Sequence, residues 1–169
     1  MPNADAEPHA DAGPKRGGAR LAAAIAAVVL ALDQASKVWA VAELDDGPVS
    51  IIGTDVELRL SFNSGGAFSL FRGFTPLLAV IAIVIAVVLV RAVRRTEDRW
   101  TLVALSLVLA GAVGNLADRV FRAPGFLEGH VVDFVKIGSF PVFNVADSAI
   151  TVGAVLLVVL AFLPGSRTR

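Results

Sequence analysis

The chain has no cysteine, and that single absence removes disulfides, thiolate nucleophiles and thiolate metal sites together. It has only two histidines, one in a polar N-terminal stretch, so a zinc site would need both carboxylates of any cluster to reach its ligand count. Neither sign of charge is in excess: 15 basic and 15 acidic side chains cancel, and no global field would draw nucleic acid or an acidic partner. What the chain does have is apolar side chains, 56% of 169 residues at a mean hydropathy of +0.73, more than a water-facing surface accommodates. A membrane protein is expected, and its chemistry must use oxygen or nitrogen groups.

Residues 1–20 are rich in Pro, Gly, Ala and charge, cannot bury enough apolar area to offset their ordering entropy, and read as a disordered tail. Four apolar runs follow, at about residues 21–42, 74–93, 100–120 and 142–163, each long enough to cross a hydrocarbon core. Residues 164–169 form a second short tail that opens with Pro164 and Gly165. The fold class expected is an all-α membrane protein of four transmembrane helices with a small extracytoplasmic β or loop element. Lys15, Arg16 and Arg20, then Arg91, Arg94, Arg95 and Arg99, then Arg167 and Arg169 flank the spans on one side, which predicts both termini in the cytoplasm. A competing reading takes residues 21–32 as the core of a secretory signal peptide, with Ala40-Val41-Ala42 as its cleavage pattern; Asp33 and Lys37 then fall awkwardly between the two.

With that orientation, the polar residues inside the spans gather near the external side. Asp33 lies about 18 Å along its helix from Leu21, and Asn115 about 22 Å along its helix from Trp100. Asp147 starts the returning fourth span, at matching depth. Ionisable groups in a membrane usually face a partner or a wet cavity. Asp33 and Lys37, four apart with the acid first, suit a helical ion pair. Asn115 and Arg119, one turn apart, suit a supporting role, and Asp118, one residue off that face, reads as a solvated interface charge.

Asp133 and Asp147 have no obvious basic partner one helical turn away and sit in apolar surroundings. Asp133 lies in HVVDFVKI, a short strand or re-entrant segment by its β-branched and aromatic content. Two carboxyls in one low-dielectric site share a single charge, which supplies a base and an acid together. The structural alternative makes Asp147 a helix N-terminal anion and Asp133 a strand-end residue. Ser36 with Lys37, Ser139 with Lys136, and a metal held by His130, Asp133, Asn144 and Asp147 are weaker chemistries on geometry or ligand count. A proton-coupled transporter and a helical scaffold remain as non-peptidase classes.

Five motifs in order carry a resemblance: DQASK at 33–37, SFNSGGAFSLF at 61–71, GAVGNLADRV at 111–120, GHVVDF at 129–134 and FNVADSAI at 143–150. Over about residues 21–163 the chain resembles the lipoprotein signal peptidase (signal peptidase II) family. The resemblance implies an aspartic endopeptidase of the bacterial cell membrane. Its substrates would be diacylglyceryl-modified prolipoproteins, cut just before the lipid-modified cysteine. It implies Asp133 and Asp147 as the catalytic pair, and Asn63, Asn115, Arg119, Asn144 and Ala146 as positions that bind substrate or support the pair. Asp33 and Lys37 match the family's stabilising pair. No cofactor, metal or nucleic acid is implied; membrane lipid is. The segment Phe121 to Glu128 is longer than that connection is expected to be in the family.

Overall fold

The computed structural model describes residues 16–64 and 75–163. Four helices are long and apolar enough to cross a membrane: α1 (Arg16–Glu43), α2 (Thr75–Arg95), α3 (Arg99–Phe121) and α4 (Val145–Phe162). The expected tail at 1–20 is corrected at its end, because Arg16 to Arg20 are the first turns of α1. Gly17 and Gly18 are poor helix formers, but extending an existing helix needs no new nucleus, and Ala19 and Arg20 favour it. Residues 1–15, the tail 164–169 and the motif beyond Ser64 lie outside the described residues.

The other helix limits follow local chemistry. Asp98 caps α3, its carboxylate accepting the N–H of Thr101 at 2.7 Å. α4 starts three residues later than its apolar run, since Phe143 is still extended and bridged to Val135, and Asn144 is the N-cap. α3 is the central helix, packed against α4, α1 and α2. Its seam with α4 depends on small residues, as is common where apolar burial drives no association between helices in lipid. A Cβ on Gly111 would run into the Ala146 carbonyl, and one on Gly114 would stand 2.7 Å from Asp33 Oδ2.

A three-stranded antiparallel sheet, ordered β1 (Val49–Ile52), β2 (Val56–Asn63), β3 (Val131–Ile137), sits at the C-terminal end of α1. Leu58, Leu60 and Val135 pack on a small core of Ala40, Leu44 and Phe134, and Trp39 meets Phe134 edge to face at 6.4 Å. The register pairs Asn63 with Val131 and Ser61 with Asp133. Asn63 and Asp133 therefore share one sheet face as diagonal neighbours.

Candidate active site

Asp133 and Asp147 open onto one cavity of about 650 Å³, which Asn63, Asn115 and Arg119 also line. Its remaining wall is largely apolar, made by Phe140, Pro141, Val142 and Phe143 before α4 and by Ile150 and Val152 on it. Asp133 is 2% exposed on β3, where Oδ2 accepts from Asn63 Nδ2 at 3.0 Å and Oδ1 from Asn144 Nδ2 at 2.7 Å. Asp147 is the third residue of α4; Oδ1 accepts from Asn115 Nδ2 at 2.7 Å and Oδ2 from the Asn144 N–H at 3.3 Å. Asn144 thus touches both. Its Oδ1 accepts the Asp147 N–H at 2.9 Å in a reciprocal capping box, and its amide group reaches Asp133. The helix N-terminal role of Asp147 and its place in the cavity coexist, because the capping box engages only Oδ2 of its carboxyl and leaves Oδ1 to Asn115.

Burial, and then the charge of Asp147, push the Asp133 carboxyl up to about 6, against the opposing hydrogen bonds from Asn63 and Asn144. Arg119 is buried beside the pair, and its Nη1 has no hydrogen-bond partner among the described residues.

Behind this layer lies a dense ionic cluster. Lys37 Nζ stands 2.9 Å from Asp33 Oδ2 and 2.7 Å from Asp118 Oδ2, with all three side chains withdrawn from solvent. Asp118 Oδ1 takes Arg122 Nε at 2.7 Å, and Gln34 Nε2 reaches both acids at 3.1 and 3.3 Å. Reading Asp118 as a solvated charge is therefore wrong. It lies three residues from Asn115, which is the same helical face, where Arg122 pairs with it one turn on and α1 brings a second cation, Lys37. Arg122 and Gln34 were missed with it, although the 118/122 spacing carried a signal. Asp33 Oδ1 also accepts the Ala146 N–H at 2.9 Å, so the acid holds the first turn of α4. Ala146 is fully buried in the α3/α4 seam and is not part of the cavity wall.

The competing chemistries find no geometry here. Ser36 Oγ donates to the Asp33 carbonyl at 2.9 Å, and Lys136 pairs with Glu57 at 3.3 Å. His130 lines a separate recess with Val41, Phe62 and Arg122. Removing one partner of a buried pair leaves the other uncompensated, at a cost of about 3–5 kcal/mol. Asp33→Asn is accordingly expected to lower the yield and melting temperature of the protein, with turnover per folded molecule changed far less. Normal stability with abolished activity would move Asp33 into the chemistry itself.

The family model for signal peptidase (SPase) II matches residues 25–163. A lipoprotein signal peptidase of Rhodococcus jostii (strain RHA1) is 53% identical over 140 residues, 82% of this chain and 71% of that protein. One from Mycobacterium bovis (strain BCG / Pasteur 1173P2) is 49% identical over 156 residues, 92% and 76% of the two chains. A solved bacterial membrane enzyme superposes with a TM-score of 0.73 at 30% identity, covering 88% of this chain and 90% of its own. With a family match over most of the chain and near half-identity to such relatives, the chain belongs to the signal peptidase II family of peptidases.

Proposed function

We propose that this protein is an aspartyl endopeptidase that removes signal peptides from diacylglyceryl-modified prolipoproteins, cutting before the lipid-modified cysteine, with Asp133 and Asp147 as its catalytic pair. The observation that carries the reading is the convergence of these two carboxyls on one cavity, bridged by Asn144. One carboxylate takes a proton from water as the oxygen attacks the carbonyl before the cysteine. The other carboxyl supplies the proton that lets the amine leave when the tetrahedral intermediate collapses. Asn63, Asn115 and Asn144 hold the carboxyls in place, and Nη1 of Arg119, buried with no partner among the described residues, is a donor for a substrate carbonyl. The acyl chains run from the apolar wall at Ile150 and Val152 onto the outward stripe of Val155 and Val159 on α4. Cleaving a purified lipid-modified precursor and weighing both products tests the proposal.

Activity of such a pair requires one proton on and one off. Because the Asp133 carboxyl keeps its proton up to about 6 rather than the ordinary 3.8, the alkaline limb of kcat/KM is expected at about pH 6 or above. Rates over pH 4 to 9 in one detergent check this. A rate that already falls through the ordinary carboxyl range on the alkaline side would contradict it.

The proposed orientation puts both termini and the α2/α3 turn in the cytoplasm and the cavity at the extracytoplasmic face, from the cluster Arg91, Arg94, Arg95 and Arg99. Arg95→Cys is then protected from an impermeant thiol reagent in intact cells and reacts after lysis. Labelling from outside would invert the topology.

A further inference from the structure

Lys37 is fully buried and forms no part of the cavity wall, yet only two of its three polar contacts serve charge balance. Asp33 and Asp118 already supply two negative charges for one ammonium. The third contact is to a neutral amide, Asn115 Oδ1 at 3.0 Å. That contact decides which way the amide points. With its oxygen on the ammonium, and Asn144 Nδ2 adding a second donor at 3.1 Å, Asn115 has only its N–H group to offer Asp147, and does so at 2.7 Å. Turned over, the amide would set N–H against ammonium at one end and oxygen against carboxylate at the other, repulsive at both. Asp147 is thereby held at two points, Oδ1 on Asn115 and Oδ2 on the Asn144 N–H, which sets the plane of its carboxyl group.

We infer that Lys37 is a positioning residue for the carboxyl pair, acting through Asn115 to fix the Asp147 carboxyl relative to Asp133, in addition to neutralising Asp33 and Asp118. The inference rests on the proposed catalytic role of that pair. It separates Lys37 from a purely stabilising partner by what happens when the charge balance is restored without the ammonium.

The cluster of Asp33, Lys37, Asp118 and Arg122 has two charges of each sign. Lys37→Met leaves an excess acid, whereas the double variant Lys37→Met with Asp33→Asn leaves Asp118 paired with Arg122, again balanced. Melting temperature, kcat and KM are measured on purified, detergent-solubilised enzyme with a lipid-modified precursor. Lys37→Met is expected to lose stability and turnover. The double variant is expected to regain stability while kcat stays about 100-fold low and KM moves less than about threefold, since a displaced reacting group costs turnover and Lys37 does not reach substrate. Recovery of kcat together with stability would overturn the inference. Asn115→Asp decides the matter if the double variant does not fold: it keeps an acceptor for Lys37, gives Asp147 no donor, and is expected to lose kcat in a stable protein. Normal kcat there would equally overturn it. Either result is distinguishable from failure of the pair itself, which would show as turnover surviving in Asp133→Asn or Asp147→Asn.

Discussion

Asp133→Asn and Asp147→Asn are each expected to lower kcat by about 10³-fold or more while leaving a folded, membrane-inserted protein. An amide keeps the shape of the carboxyl and most of its hydrogen bonds, but is neither a base nor an exchangeable acid. Groups that act as one unit are not additive, so the double variant is expected to lose little more than either single one. A structural pair predicts the opposite pattern. Both acids accept side-chain amide donors rather than a cation, from Asn63, Asn115 and Asn144, so neutralising them would then be tolerated or stabilising, with activity following the amount of folded protein. Rates measured per folded molecule, with melting curves alongside, separate the two. Near-normal turnover by either folded single variant would remove that residue from the chemistry.

Lipid dependence is the second large effect. Burying an acyl CH₂ contributes about 0.8 kcal/mol, so as few as five methylenes against the wall of Ile150, Val152 and Phe143 offer about 4 kcal/mol, a factor of about 10³. The unmodified precursor is expected to show kcat/KM lower by at least that order. Small signal-peptide side chains cannot replace such an anchor. Equal kcat/KM for modified and unmodified precursor would take the diacylglyceryl group out of the recognition.

The parts of this fold that local sequence encodes were legible. Apolar run length gives the four spans, the acid-first spacing of Asp33 and Lys37 gives their ion pair, and the β-branched run around Asp133 gives an extended segment where β3 stands. What depends on neighbours from elsewhere in the chain was not. Asp118 reads as solvated because its burial comes from α1, whose Lys37 lies far away in the sequence. Gln34 reaches Asp118 only once α1 and α3 are packed, whereas the Asp118–Arg122 pair is local, one turn apart. The late start of α4 could not be read from hydropathy, since Val142 and Phe143 are as apolar as the helix they precede; the bridge from Phe143 to Val135 and the Asn144 cap set it. Ala146 carried the family motif but not its reason, which is a backbone N–H bound to Asp33 and a close approach to Gly111.

The most direct test of the central claim is an intact-mass measurement of both products after purified protein is incubated with a diacylglyceryl-modified preprolipoprotein. The account predicts two species, a free signal peptide and a mature chain whose first residue is the lipid-bearing cysteine, and neither from Asp133→Asn or Asp147→Asn enzyme. Cleavage at any other bond, or the same two products from either asparagine variant, would contradict it.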